Sequence, residues 1–273
     1  MTAFSVLTRT VTIAAGISLA AIAGSQAADL NAIKEAGKIT ALTTANDRPN
    51  AYMDESGKPT GFEIDVCNYF ADKLGVDLDL GVIAWEGILP SLTAGRADII
   101  CSAVNITKAR TETFDFSVPY SRTNIVAVVP IDSDVTGPTD LEGRVVGGVT
   151  GADGEDIIRE IGGFKEIRVY AGLTEVMTDL IAGRLDVVIT GDIQAGAFIK
   201  QRPEAGKIVG KPYKTNFVGT PMAAGSGELQ AALNEAIKSA REDGTLDALA
   251  EKYFGLADFT STLPPIGEPA TFN

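Results

Sequence analysis

The sequence predicts an α/β fold of two lobes, each built on a mixed, mostly parallel sheet with helices on its faces. Short apolar runs of strand length alternate with segments of helical periodicity along nearly the whole chain, an alternation that is typical of parallel sheets. One helix–turn–strand unit occurs twice, at residues 91–100 (SLTAGRADII) and at residues 179–188 (DLIAGRLDVV). In each copy a helix ends at a glycine, and an aspartate precedes an apolar strand. This repeat is either a generic helix-to-strand turn or an indication of two related lobes.

The elements of the first lobe follow from apolar periodicity and from glycines that stop helices. Residues 62–74 carry apolar side chains at helical spacing and predict a helix, which Gly75 ends. The other predicted elements are strands at 38–43, 76–82 and 97–103 and a helix at 86–94, which Gly95 ends.

The second lobe is expected between two strands that cross from one lobe to the other. We predict the first crossover at 124–129, the strands of the second sheet at 144–149, 167–170 and 185–190, and the return crossover at 217–224. Helices at 228–241 and 246–253 then pack back on the first lobe, and Thr245 is the expected N-cap of the last one. The predicted boundaries are 28–123 and 220–260 for the first lobe, 124–219 for the second, and 261–273 for a loose, Pro-rich tail.

Residues 1–27 are predicted to be a cleavable export signal. Arg9 supplies a positive charge before an apolar run at 11–23, and Ser25 and Ala27 are the small residues that a signal peptidase recognises. The run is shorter than the 20 or so residues needed to span a bilayer, and a buried N-terminal helix fits poorly because the run has no polar face. No cysteine lies near the cleavage point. We therefore expect a periplasmic protein that is cleaved after Ala27 and carries no lipid anchor.

Composition argues against several classes of function. The chain contains no histidine, which removes Ser-His-Asp hydrolysis, imidazole base catalysis and His-ligated metal sites. Its net charge of −13 repels phosphate backbones and anionic lipid, so binding to nucleic acid or to a membrane surface is not expected. We predict neither a metal nor another cofactor.

The two cysteines, Cys67 and Cys101, both lie in apolar runs. Two thiolates are too few for a structural zinc site. We expect buried free thiols, although an exported chain permits a disulfide, and that alternative stays open.

Five motifs, taken together and in their order along the chain, resemble those of a known protein family. They are GKPTGFEIDV at 57–66, WEGILPSL at 85–92, ITKAR at 106–110, FDFSVPY at 114–120 and DLEGRVVG at 140–147. The sequence resembles the amino-acid-binding family of periplasmic solute-binding proteins, those of ABC importers, from about residue 39 to residue 255. The resemblance implies the two-lobed periplasmic-binding-protein fold of type II, which closes about a hinge around a small zwitterionic or carboxylate-bearing ligand. It also implies delivery of the ligand to a membrane permease. We further expect a monomer that is not an enzyme.

The resemblance assigns binding residues in the first lobe. Arg110 matches the arginine that holds the carboxylate of the ligand, a role that suits the forked guanidinium; a surface ion pair with Glu112 or Asp115 is the alternative. Ser102, Ala103 and Asn105 fall on the loop after a strand, where polar groups meet the ligand. Trp85 matches an apolar position that flanks the ligand, and plain packing is its alternative.

Other positions depart from the pattern of the family. Asp47 and Asn50 stand where an aromatic pair is common, and Thr44 replaces an acidic residue that pairs with basic ligands. In the second lobe, Gly191 stands where an ammonium-binding aspartate is common. Thr190 lies at the end of the preceding strand, and Asp192 lies next to Gly191. These departures leave the identity of the ligand open.

Ala152 and Asp153 lie at a predicted helix start, where a threonine often helps to bind the ligand carboxylate. Asp153, followed by Asp156, also fits an ordinary N-cap. In the functional interpretation, Asp47, Asp153 and Asp192 give the cleft a negative side opposite Arg110.

Two other functions remain open. Relatives of this fold include a dehydratase of cyclohexadienyl acids, and an acidic residue such as Asp47 or Asp153 could act as a general acid. A subunit that presents its ligand to a membrane sensor is the second alternative.

Overall fold

A computed structural model of the protein describes residues 27–137 and 140–267. The predicted export signal, apart from Ala27, lies outside these residues, as does the end of the predicted tail at 268–273. Within the described ranges, no helix combines the length and the apolar character that crossing a membrane requires.

The first lobe is built on a parallel sheet of three strands. The elements in chain order are α1 (Leu30–Ala36), β1 (Lys38–Thr43), β2 (Asn46–Asp47), β3 (Ala51–Met53), β4 (Pro59–Thr60), α2 (Phe62–Leu74), β5 (Asp77–Val82), α3 (Trp85–Thr93), β6 (Ile99–Ile100), α4 (Lys108–Thr111) and β7 (Phe114–Phe116). Strand β1 lies between β5 and β6 and runs parallel to both, whereas β2, β3 and β4 form a small antiparallel sheet. We call the unit around this parallel sheet the first lobe.

The second lobe is built on a mixed sheet of five strands. Its elements are β8 (Ser121–Val129), β9 (Val145–Val149), α5 (Asp153–Ile161), β10 (Glu166–Tyr170), α6 (Leu173–Ile181), β11 (Val187–Gly191), α7 (Asp192–Gln201) and β12 (Lys207–Val218). The strand order is β10-β9-β11-β8-β12, in which β8 runs antiparallel to both of its neighbours. Strands β8 and β12 also carry the chain between the lobes.

The chain then returns to the first lobe through β13 (Pro221–Ala223), α8 (Gly227–Glu242), α9 (Thr245–Phe254) and a 3₁₀ turn (Phe259–Thr262). Strand β13 pairs with β7. The aromatic ring of Phe62 in α2 contacts the rings of Phe254 and Phe259, with centroids 4.5 and 6.2 Å away. The C-terminal helices are therefore part of the core of the first lobe.

The repeated sequence unit has the same structural role in both lobes. Asp98 accepts a hydrogen bond from the amide of Thr40 at 2.8 Å, and Asp186 accepts one from the amide of Val145 at 2.7 Å. In each lobe the aspartate before one strand is therefore bonded to the neighbouring parallel strand. This equivalence favours two related lobes over a generic turn.

The two cysteines form a disulfide, so the expectation of free thiols was wrong. Cys67 of α2 and Cys101, directly after β6, are both fully buried and have Cα atoms 6.1 Å apart. Because α2 packs on the sheet at this point, the two side chains meet. The bond closes a loop with a sequence separation of 34 residues, for which chain entropy predicts a stabilisation of about 3–4 kcal/mol.

Four further predictions were wrong in part. The strand predicted at 97–103 is only Ile99–Ile100, which form β6. The return crossover is β12 at Lys207–Val218, and the predicted segment 217–224 instead contains only its end and β13. The tail is not loose at its start, because Leu263 is buried in the core of the first lobe and the carbonyl of Pro264 accepts a hydrogen bond from Arg241 at 2.8 Å. The N-cap of α9 is Gly244, which adopts a left-handed conformation with φ of 78°, and Thr245 is the first helical residue.

Candidate functional site

A cavity of about 280 Å³ lies between the two lobes. The first lobe contributes Asp47, Asn50, Ala103 and Asn105, and the crossover strands contribute Thr123, Ile125 and Asn216. The second lobe contributes Val149, Ala152, Asp153, Gly154, Leu173, Thr190, Gly191 and Gln194. Seven of the predicted site residues therefore line one space: Asp47, Ala103, Asn105, Ala152, Asp153, Thr190 and Gly191.

Asp47 and Asn50 form one wall of the cavity. The Asn50 amide nitrogen donates a hydrogen bond to the Asp47 carboxylate at 2.8 Å. Burial raises the pKa of Asp47, and hydrogen bonds from Asn50 and Gln194 oppose this effect. The loop is held against α2 at Gly61, where an added Cβ would lie 2.3 Å from the Asn50 carbonyl oxygen and φ is 126°. Only glycine fits this approach.

Ser102 and Thr44 support the cavity from behind its lining. The buried Ser102 hydroxyl lies 3.2 Å from that of Thr43 and accepts a hydrogen bond from the Thr44 amide at 3.1 Å. These contacts tie the end of β1 to the loop after β6, which carries Ala103 and Asn105. The two predicted residues therefore lie at the site but outside the cavity lining.

Arg110 and Trp85 are not among the residues that line the cavity, but they lie together beside the lining residue Asn105. Arg110 Nη1 donates to the carbonyl oxygen of Asn105 at 2.8 Å, and the guanidinium carbon lies 5.9 Å from the centre of the Trp85 ring. Desolvation lowers the pKa of Arg110, and the charge of Asp153 opposes the change. Among the described residues, no ion pair joins Arg110 to Glu112 or Asp115, so the surface-pair alternative was wrong. Trp85 is 43% exposed, which also argues against plain packing.

Asp153 is not a helix cap. The N-cap of α5 is Ala152, and the Asp153 carboxylate accepts hydrogen bonds from Lys214 Nζ at 2.8 Å and from the Asn216 amide at 2.9 Å. The carboxylate therefore faces β12 and the cavity. Gly154 makes this position possible, because a Cβ there would lie 2.2 Å from the carbonyl oxygen of Ile189 in β11.

Asp192 does not line the cavity, and its carboxylate is bonded to β8, so its prediction as a ligand contact is corrected. Its carboxylate forms an ion pair with Arg122 and accepts a hydrogen bond from the Asn124 amide nitrogen of the backbone at 2.9 Å. Asp192 is the first residue of α7, and this helical phase turns its side chain toward β8. Gly191 remains in the lining, whereas Asp192 joins α7 to a crossover strand.

Sequence reasoning did not select several residues of the lining. Asn216 and Thr123 lie on the two crossover strands. These strands are far apart in the sequence, so only their pairing in the fold brings the two residues to the cavity. Gln194 lies three residues after Gly191, and helical spacing from that predicted position could have identified it.

The site combines charges of both signs around one cavity. Acidic side chains line it from each lobe, and Arg110 and Lys214 lie beside Asn105 and Asp153 respectively. Such an arrangement can hold a molecule that carries both a carboxylate and an amine. Among the described residues, no cluster of three or more acidic or cysteine side chains is placed to hold a metal ion.

The sequence is similar to a family of binding proteins and to individual members described as amino-acid binders. The sequence model of a family described as bacterial extracellular solute-binding proteins, family 3, matches residues 39–256. The L-cystine-binding protein TcyJ of Escherichia coli K12 is 32% identical over 233 residues, which cover 85% of this chain and 87% of the relative.

Two solved structures resemble this fold. An ancestral cationic amino acid solute-binding protein has a TM-score of 0.76 at 30% identity and covers 82% of this chain and 99% of that one. The unliganded, open L-cystine solute receptor of Neisseria gonorrhoeae has a TM-score of 0.75 at 27% identity and covers 85% of this chain and 99% of that one. These likenesses confirm the two-lobed α/β fold that the motifs implied.

Proposed function

The chain belongs to family 3 of the bacterial extracellular solute-binding proteins, and we propose that it binds a small amino-acid-like solute in the cavity between its lobes. The observation that carries this proposal is the pairing of charges around that cavity, with Asp47 in its wall and Arg110 beside the lining residue Asn105. A solute with an amine and a carboxylate complements both groups. The volume of about 280 Å³ suits a molecule of the size of an amino acid.

Each predicted residue except Asp192 has a proposed role in binding. Arg110 holds the carboxylate of the solute, and the loop of Ser102, Ala103 and Asn105 supplies further hydrogen bonds. Thr44 keeps this loop in place through Ser102, and Trp85 flanks the solute beside Arg110. The acidic wall at Asp47 receives the amine. From the second lobe, Ala152 and Asp153 at the start of α5, and Thr190 and Gly191 at the end of β11, cover the solute when the lobes close about β8 and β12.

We propose that the protein works in the periplasm as a monomer and delivers its solute to the membrane permease of an ABC importer. The names of similar proteins point to the solutes to try first, since one binds L-cystine and another is a cationic amino acid binder. Presentation of the solute to a membrane sensor would use the same closure. Pull-down of a permease or of a sensor by the liganded protein distinguishes these two partners.

The proposed function is tested by calorimetry with L-cystine, L-arginine and the other common amino acids. We expect one or a few solutes to bind. For the best binder, Arg110→Ala is expected to lose about 2–5 kcal/mol of binding free energy, or roughly a 30-fold to several-thousand-fold weaker affinity. The reason is that a carboxylate would remain desolvated without its partner. Arg96→Ala, which alters an exposed arginine of the same lobe, is the control and should bind like the wild type.

Two results would contradict the proposal. Equal affinities of Arg110→Ala and the wild type would remove Arg110 from the site. Conversion of a bound acid to a new product during incubation would favour the enzyme alternative, with Asp47 or Asp153 as the candidate general acid.

A further inference from the structure

Gln194 is the polar side chain of the second lobe that meets Asp47 across the cavity. It is the third residue of α7 and lines the cavity together with Asp47 and Gly191. Its amide lies close enough to the Asp47 carboxylate to lower the pKa of Asp47, against the larger effect of burial. The two side chains thus face one cavity from the two lobes, at the acidic wall where the amine of the solute is proposed to bind.

The carbonyl half of this amide has no partner. Gln194 Oε1 is buried and makes no hydrogen bond with any described residue. An unpaired buried acceptor is unfavourable, because the group has lost its hydration without a replacement. The site therefore holds an acceptor that a donor group could satisfy.

Gly191 provides the space that this amide occupies. A Cβ added at Gly191 would lie 2.3 Å from Gln194 Oε1 and 3.0 Å from the Thr123 methyl carbon. Any side chain at position 191 would therefore displace the Gln194 amide. The Gln194 amide of α7 therefore occupies the space that a side chain at position 191, at the end of β11, would fill.

We propose that Gln194 is a specificity-determining residue, which binds the ammonium group of the solute jointly with Asp47 and depends on Gly191 for its position. In the present orientation Oε1 lies on the Gly191 side of the amide, and a half-turn about the last side-chain torsion would exchange the nitrogen and the oxygen and bring Oε1 toward the Asp47 carboxylate. An ammonium group has three donors and no acceptor, and it can satisfy both oxygens at once. When Asp47 is ionised the pair carries one negative charge, which matches one ammonium group. The inference rests on the proposed function, since it concerns the amine of the same solute.

The test compares amine-bearing solutes with counterparts that lack the amine. The probes are L-cystine with 3,3′-dithiodipropionic acid, and L-arginine with 5-guanidinopentanoic acid, all measured by calorimetry. Gln194→Leu keeps the approximate size of the side chain and removes its hydrogen-bonding groups. Gln201→Leu makes the same change at an exposed position of the same helix and is the matched control.

We expect Gln194→Leu to weaken binding of the amine-bearing probe by about 10- to 150-fold, the range typical of a lost hydrogen bond to a charged group. Binding of the amine-free counterpart should stay within about twofold of the wild type, and Gln201→Leu should change neither. Gly191→Ala should reproduce the loss, because its Cβ displaces the amide. If Gln194→Leu fails to fold, as judged by circular dichroism, Gly191→Ala decides the question.

The inference is overturned if the Gln194→Leu and Gly191→Ala variants bind the amine-bearing probe as well as the wild type does. It is also overturned if both members of a probe pair lose affinity equally, because the effect would then be general loosening of the site. If the wild type binds neither probe pair nor any other amino acid, the proposed function fails and this inference fails with it.

Discussion

Replacing Asp192 by alanine is expected to lower the free energy of unfolding by about 3–5 kcal/mol, the usual cost of breaking a buried ion pair from one side. The side chains of Arg122 and Asp192 are only 9% and 13% exposed. Without Asp192, the Arg122 guanidinium would keep its hydrogen bond to the Thr262 hydroxyl at 3.2 Å but would have no counter-charge. Urea denaturation followed by circular dichroism measures the effect.

The control for this prediction is an exposed pair in the first lobe. Lys38 and Asp79 form an ion pair at 2.7 Å with side chains 54% and 52% exposed, and Asp79→Ala should cost less than about 1 kcal/mol. A double replacement of Arg122 and Asp192 by leucine should recover much of the stability, since no unpaired charge then remains. Similar small losses in Asp192→Ala and Asp79→Ala would show that the pair does not stabilise the junction of α7 with β8.

Glu63→Gln is expected to remove a large part of the dependence of stability on pH. Glu63 is fully buried in α2, where the Tyr120 hydroxyl donates a hydrogen bond to one carboxylate oxygen and the other oxygen has no partner among the described residues. Burial raises the pKa of Glu63 from 4.5 to about 8; the hydrogen bond from Tyr120 opposes this, and the charge of Asp47 adds to it. The folded protein therefore holds a proton at Glu63 that the unfolded chain releases above its lower pKa.

The sign of the effect follows from this difference. Stability from protonated Glu63 is fully present below about pH 4.5 and is lost progressively as the pH rises to about 8. A pKa difference of one corresponds to about 1.4 kcal/mol, so the free energy of unfolding falls by at most about 5 kcal/mol over this range. Urea denaturation at pH 5, 7 and 9 should show the wild type losing stability relative to Glu63→Gln as the pH rises. A constant difference between the two proteins would mean that Glu63 is ionised in the fold.

Elements whose ends and faces are set by neighbouring residues were predicted well from apolar spacing and helix-stopping glycines. Strand β1 and helix α2 were predicted to the residue, because their apolar spacing is regular and Gly75 provides a left-handed stop. Strand β12 was missed for the opposite reason. Gly210 and Pro212 interrupt its alternation, and the strand persists because it pairs with β8 on either side of an irregularity between Val209 and Lys214.

The site was predicted where a residue follows a strand end, and was missed where side-chain direction depends on distant partners. Gly191 and Asp153 both line the cavity, and for Asp153 the sequence had left a helix cap open as the alternative. Asp192 has the right place in the chain, but its direction depends on the antiparallel pairing of β11 with β8, which lies more than 50 residues earlier in the chain. The disulfide likewise depends on the packing of α2 against the end of β6, which the spacing of two cysteines does not encode.

The central claim is that the two lobes close around one amino-acid-like solute, which the first lobe holds at its carboxylate and its amine. Small-angle X-ray scattering of the wild type, with and without a saturating concentration of the best-binding solute, tests this claim most directly. The account predicts a smaller radius of gyration with the solute and no change in Arg110→Ala at the same concentration. An unchanged radius in the wild type, at a concentration where calorimetry shows the cavity filled, would contradict it.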